Sequence, residues 1–293
     1  MKFITQMKSS TKESKVDVMS SQKVNHADRI GEAFALQVLS EHFGTETFIG
    51  SSIELKVEEL ASIVYKEIRD PDFFGATITL KRDNRKYVLL NTSQTLRHRY
   101  FTAAHEFWHV LNINSMIKDD IDPERAADRF AAALMLPESL VRSLIRSLQE
   151  DDKKEQEEKK IVIRISDISS APYVAVVKRL VELKLTDNKG LAELSDKDWT
   201  EIRRELNIVE SPLDQPQRIN RFTDYEERIA QEVQDDNLNF IEASKRLATV
   251  SPEKSAEYAQ LRAAEVEKVM DEIENDEDDD FLDALFETRR TKK

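Results

Sequence analysis

The segment His105-Glu106-Phe107-Trp108-His109 constrains this chain more than any other, together with the Asp122-Pro123 pair thirteen residues past His109. On an α-helix, residues four apart sit about 40° apart around the axis and about 6 Å along it, so two imidazoles at that spacing can grip one metal ion. Glu106 lies one step round, within reach of the same point without occupying it. Asp122 followed by Pro123 is a strong start for a second helix, with the aspartate as N-cap and the proline at the first helical position. Along that helix Glu124, Ala127, Asp128, Ala131 and Met135 share one face, and the alanines allow it to approach the histidine helix closely. The sequence therefore predicts two crossed helices with a site between them. In that site His105, His109 and Glu124 hold a zinc ion and leave its fourth position open. Asp128 is placed to accept a hydrogen bond from the outer nitrogen of a ligand histidine and so fix its tautomer. Zinc held this way acidifies water, and Glu106 is the base placed to take the proton. Asp119, Asp120 and Asp122 are rival third ligands on the intervening loop, and Glu124 also reads as a first-turn acid favoured by the helix dipole.

Composition narrows the chemistry further. The chain has 293 residues and no cysteine, which removes disulfides, thiol catalysis and cysteine-based metal sites, so any metal must be held by His, Asp or Glu. A net charge of −13 argues against a chain that mainly binds nucleic acid, because phosphate repels it at long range. The five glycines form neither GxGxxG nor a phosphate-binding loop. No apolar run is long enough to span a membrane, and the start, MKFITQMKSSTKES, lacks a signal-peptide core, so a cytoplasmic location is expected.

The fold expected is α+β: a mainly helical zincin-like core with a small β-sheet, a helix-turn-helix-like segment, and a helical, acidic C-terminal region. Residues 1–25 read as a disordered N-terminus and 26–150 as the metal-binding domain. His26 to Phe43 should form an amphipathic helix ending at Gly44, and a second helix should run from Val57 to about Ile68. Ala76–Leu80 and Lys86–Leu90 read as strands joined by a turn at Arg82–Arg85. Asn91-Thr92-Ser93 offers N-cap chemistry for a helix over Thr95–Leu111. A further helix carries Leu140, Val141, Leu144, Ile145 and Leu148. Residues 151–160 form a charged linker or a solvated helix end, 161–186 the helix-turn-helix-like segment, 187–270 a helical region, and 271–293 an acidic tail.

Three blocks of residues resemble the ImmA/IrrE metallopeptidase family, within the broader gluzincin arrangement of HExxH followed by ExxxD. They are Tyr87-Val-Leu-Leu-Asn91, then Arg99-Tyr-Phe-Thr-Ala-Ala-His105-Glu-Phe-Trp-His109, then Glu124-Arg-Ala-Ala-Asp128-Arg-Phe-Ala-Ala-Ala-Leu-Met-Leu-Pro137. The resemblance covers roughly residues 50–150. Two departures stand out. Trp108 replaces a small residue, putting a bulky ring beside the metal-binding turn with a consequence for the substrate cleft, and Met135-Leu136 replaces Leu-Met. The resemblance implies a zinc peptidase that cuts or inactivates a helix-turn-helix repressor and so derepresses a mobile element, phage or stress regulon.

Several readings stay open at this level. Residues 161–190 carry five basic and three acidic residues, a weak balance for DNA contact, so the segment is either a DNA-binding unit or a packing module. His98 sits two turns before His105 and is either a substrate contact or a surface residue. Tyr87 and Tyr100 are candidate transition-state donors or core residues, and His26 and His42 are read as structural. The tail has ten acidic and four basic residues, with an apolar stripe at Phe281, Leu282, Leu285 and Phe286. It is either a docking appendage for a partner or a solubilising end. Against the enzyme stand a non-proteolytic metal-binding regulator and a pure interaction protein. Intact Glu106 favours the enzyme, because a purely structural metal site has no use for it. Oligomeric state is not legible.

Overall fold

The computed structural model describes residues 26–81, 84–117, 120–148 and 154–275. They fall into two compact units, the first ending at Asn220 and the second beginning at Arg221.

In the first unit, helix α1 spans 26–38 and runs on into a π-helical turn, Leu39–Phe43. Helix α2 (Ser52–Glu58) leads into strand β1 (Ser62–Lys66). The sequence expectation of one helix from Val57 to about Ile68 is therefore corrected. Ile63 and Tyr65 are buried while Ser62, Val64 and Lys66 are not, a period-two pattern that only a strand supplies. Strands β2 (Gly75–Thr79) and β3 (Lys86–Asn91) follow as expected and pair antiparallel, Gly75 opposite Leu90 and Thr79 opposite Lys86. β1 pairs parallel with the other side of β3, so β2 lies at the sheet's edge. Arg82 and Asp83, read as part of the hairpin turn, lie outside the described residues.

Helix α3 (Leu96–Val110) is capped by Thr95, whose hydroxyl accepts from the His98 amide. The cap is therefore not within Asn91-Thr92-Ser93. Asn91 is fully buried and folds the preceding chain instead: its carbonyl accepts from the amides of Ile68 and Ser93, and its amide donates to the Phe73 carbonyl. Helix α4 (Pro123–Met135) begins as read from sequence, with the Asp122 carboxylate accepting from the amides of Glu124 and Arg125. Its face of Ala127, Ala131 and Met135 is fully buried. On the far side of α4, a Cβ at Gly31 of α1 would come within 2.4 Å of the Ala126 carbonyl, so α1 lies on α4 at a distance only glycine permits.

Helix α5 is Glu138–Leu148, and helix α6 starts at Lys154 and runs to Ser169, so of the two readings of the charged stretch, linker or helix end, residues 154–160 follow the second. A turn at 170–172 joins α6 to α7 (Tyr173–Glu182). Val162, Ile163, Ile165, Val176 and Val177 from these two helices are buried in the same core as α3 and α4. The stretch resembling a helix-turn-helix is thus part of the wall of the first unit. Helix α8 (Asp196–Glu205) continues that core through Trp199, whose ring stacks on Tyr173 at 5.2 Å.

Two arginines of α3 fasten these layers. Arg97, 1% exposed, bonds Asp214 at 2.6 Å, Asp167 at 2.5 Å and the Ser166 carbonyl. Asp214 also accepts from the Tyr173 hydroxyl at 2.8 Å, and Asp167 from Arg203 at 2.9 Å. Arg99 forks onto Glu54 of α2 at 2.7 and 3.3 Å.

The second unit comprises α9 (Thr223–Gln234), α10 (Phe240–Leu247) and α11 (Pro252–Asn275), packed around Ile229, Leu238, Ala243 and Leu247. The acidic run therefore begins inside α11. The stripe at Phe281, Leu282, Leu285 and Phe286 lies outside the described residues, as do residues 1–25 and Asp119. No helix among the described residues is long and apolar enough to cross a membrane.

Candidate metal centre

His105 and His109 project from α3 with their Nε2 atoms 3.4 Å apart. From α4, Glu124 brings its two carboxylate oxygens to 3.3 Å from His105 Nε2 and 3.7 Å from His109 Nε2. Two metal–ligand bonds of about 2.0–2.1 Å at a tetrahedral angle separate the donor atoms by roughly 3.3–3.4 Å. The three residues thus present nitrogen, nitrogen and oxygen at the spacing a zinc-sized tetrahedral ion requires. Among the described residues they form the one group of three or more such side chains able to hold a metal ion. Asp122, read as a rival ligand, is occupied as the N-cap of α4.

Asp128, one turn beyond Glu124, meets His105 Nδ1 at 2.9 Å. With Nδ1 held by a carboxylate, the ring keeps its proton there and turns the Nε2 lone pair to the site. Burial alone lowers the pKa of His105, but the Asp128 hydrogen bond and the charges of Glu106, Asp128 and Glu124 outweigh it, and the net shift is upward. Three carboxylates, Glu106, Asp128 and Glu124, act on the imidazole, an arrangement that suits a divalent cation.

Glu106, 6% exposed, turns toward the sheet, where its Oε2 accepts from the Thr77 hydroxyl of β2 at 2.7 Å. Thr77 escaped the sequence reading. A threonine in a short strand carries no signal until the sheet is known to lie against α3. The approach of β2 to α3 needs Gly75, where a Cβ would come within 2.6 Å of Thr102 Cγ2 and 2.8 Å of the Leu89 carbonyl.

His105, Glu106, Glu124 and Asp128 line a cavity of about 640 Å³, floored by α3 and walled by α7. His98 lines the same cavity, two turns along the floor. Its Nδ1 meets the Thr95 hydroxyl at 2.9 Å and Asp196 at 3.3 Å, and its ring lies 5.5 Å from that of Phe74. Burial pushes its pKa down, aided by Arg97 and opposed by Asp196, so the neutral ring is favoured. Trp108 does not enter the cavity. It is fully buried between α1 and α4, edge-on to Phe34 and Phe130, with its indole N–H donating to Asn114 at 2.9 Å. Positions 105 and 108 lie only about 60° apart around the helix axis, and the large residue is accommodated because its ring packs sideways into the core between Phe34 and Phe130. Tyr100 is buried beside the Arg99 guanidinium, away from the metal ligands.

At the metal end, Arg179 of α7 has a fully buried side chain that forks onto Glu32 of α1 at 2.6 and 2.9 Å and donates to the Leu136 carbonyl at the end of α4. Arg129 meets the same Glu32 at 2.8 Å. Sequence reading found none of this network, since its members lie on three separate helices.

Residues 67–181 match the model of a peptidase family described as the IrrE N-terminal-like domain. This segment, 115 of the chain's 293 residues, is similar to the ImmA/IrrE peptidase family. The matched segment contains β2, β3, the candidate metal ligands, Glu106 and, up to residue 181, the cavity walls from α3, α4 and α7. No curated protein matches the chain.

Proposed function

We propose that this chain is a zinc-dependent endopeptidase that cuts a specific protein, a helix-turn-helix transcriptional repressor, and thereby derepresses the genes of a mobile element, phage or stress regulon. The observation that carries the peptidase reading is the convergence of His105 Nε2, His109 Nε2 and Glu124 near tetrahedral spacing, with Glu106 beside them and His105, Glu106 and Glu124 lining one cavity. The repressor as substrate rests on the resemblance to the ImmA/IrrE family.

Zinc held there supplies Lewis acidity to a peptide carbonyl and to water. The rest is the work of the chain's own residues. Glu106 takes a proton from the attacking water and passes it to the leaving amine, a role that needs a carboxylate within reach of the water but outside the ligand set. Thr77 holds one oxygen of that carboxylate and so fixes the direction of the other. Asp128 keeps His105 in the tautomer that leaves Nε2 free to ligate. Edge strand β2, with one face of Gly75 on the cavity, offers backbone groups along which an extended peptide can lie.

The test is incubation of the protein with a candidate helix-turn-helix repressor and zinc, read on a gel beside the Glu106→Gln variant. Cleavage at one bond by wild type and none by the variant is expected. Relief of repression in cells by the uncleaving variant would instead favour a non-proteolytic regulator. Bulk digestion of casein would refute the narrow specificity.

A further inference from the structure

The cavity is polarised along its length. One end holds the metal ligands and the charged residues of α4 and the last turn of α7. The other end is apolar, walled by Phe73, Phe74, Phe101, Pro172, Val174 and Ala175. The order is fixed by the packing. Tyr173, the first residue of α7, hydrogen-bonds within the Arg97 network, so the start of α7 stands over the start of α3. Arg129 bonds Glu182, so the end of α7 stands over α4. The apolar residues of α7, Val174 and Ala175, therefore face the His98 and Phe101 end, and its charged residues face the metal end.

Phe74 is 39% exposed despite its size, and it has the His98 ring on one side. Phe101 lies one turn before His105, about 6 Å along the helix axis. An extended peptide advances about 3.3 Å per residue, so the recess lies one or two residues from a bond held at the metal centre.

We propose that this recess is a specificity site that takes one bulky apolar side chain of the substrate, aromatic or long aliphatic, within two residues of the bond that is cut. The proposal rests on the peptidase reading and adds to it a preference that HExxH chemistry does not supply. The occupant is argued from continuity. The recess opens into the same cavity as the metal centre, the charged lining residue next to Phe73 is Asp72, which repels an acidic side chain, and the neighbouring Arg129 and Arg179 are already engaged by Glu32.

The test uses the full chain loaded with one zinc and a series of N-acetyl amino-acid hydroxamates bearing Phe, Leu, Ala or Asp side chains, with acetohydroxamate as the parent, titrated by calorimetry. The Phe and Leu compounds should bind tenfold to a hundredfold more tightly than the Ala compound, the range expected for burying one large apolar side chain, and the Asp compound more weakly still. Val174→Asp and Phe74→Ser should each remove most of that preference while leaving zinc content and acetohydroxamate affinity unchanged. Affinities independent of the side chain, or a preference that survives both variants, would overturn the proposal. Failure of acetohydroxamate itself to bind would count against the metal reading alone. The recess would then be judged on the metal-free protein by NMR, where N-acetyl-phenylalaninamide but not N-acetyl-alaninamide should shift the amides of residues 73–75 and 174, and equal or absent shifts would overturn it.

Discussion

Replacing Glu32 with alanine should destabilise the first unit by roughly 2–4 kcal/mol at neutral pH. The Arg179 guanidinium has no solvent exposure and two of its nitrogens bond the Glu32 carboxylate, at 2.6 and 2.9 Å. Breaking a buried ion pair by removing one partner typically costs about 3–5 kcal/mol, because the remaining charge is left uncompensated. Two features trim that figure here. Glu32 keeps 23% of its side chain exposed, and Glu182, 3.7 Å from Arg179, offers partial compensation. The loss of Arg129 as a second partner works the other way. For a unit of this size the change corresponds to a fall in Tm of roughly 4–16 °C. The effect should depend on pH with a definite sign. Burial raises the Glu32 pKa, but the hydrogen bonds and charges of Arg179 and Arg129 outweigh it and hold the folded-state value below the ordinary one. A group of that kind contributes stability that is present above its unfolded pKa and lost as pH falls through its folded one. The gap between wild type and Glu32→Ala should therefore be full at pH 7 and shrink below about pH 4. Urea unfolding followed by circular dichroism at a series of pH values measures it. A gap under about 1 kcal/mol at pH 7, or one that stays constant down to pH 3, would refute the reasoning.

Asp128→Asn should weaken zinc binding by about tenfold to a hundredfold in a chelator competition, through loss of the carboxylate on His105 Nδ1; unchanged affinity would mean that the contact does not set the tautomer. Glu106→Gln should keep its metal by elemental analysis while hydrolysis falls by at least about a hundredfold, whereas Glu124→Ala should lose metal sharply; wild-type metal content in Glu124→Ala would show the third ligand to be wrong. Trp108→Ala should cost about 3–5 kcal/mol in thermal or urea unfolding, since it empties a fully buried site between Phe34 and Phe130 and strands the Asn114 carboxamide; near-neutral behaviour would contradict the packing described. Thr77→Val should lower kcat more than it changes KM, because it releases Glu106 without touching the cavity wall; an effect on KM alone would assign Thr77 to substrate binding.

The clustering of the candidate metal ligands was legible because its logic is local. His105, Glu106 and His109 lie on one helix, and Glu124 and Asp128 on another whose start is announced by Asp122-Pro123, so helical spacing alone brings the donors together. Where contacts cross between distant segments, the sequence was silent. Thr77 reaches Glu106 across a strand-to-helix interface, Arg179 meets Glu32 across 147 residues of chain, and neither has a spacing rule. The misread helix over Val57–Ile68 failed for a different reason. Ser62-Ile-Val-Tyr-Lys66 has the β-branched and aromatic composition of a strand, but it directly follows a true helical turn, and five residues are too few for periodicity to separate the two. Trp108 was misjudged because a substitution at a family's small position says that the local volume changes, not on which side of the helix the volume lies.

The segment that matches the peptidase family ends at residue 181, inside α7, whereas the compact unit runs to Asn220. A chain trimmed after residue 181 would keep every candidate metal ligand and still lose Asp214, Arg203 and Trp199. The Arg97 guanidinium at the root of the histidine helix would be left without its shortest-lying Nε partner, and the face of Tyr173 would be bare. The edge of resemblance and the edge of physical independence are different boundaries in this protein. A fragment cut at the first would carry the candidate ligands and Glu106 on a helix that keeps Asp167 and Ser166 on Arg97 but has lost Asp214, so a fragment meant to hold that helix in place should extend through the Asp214 turn.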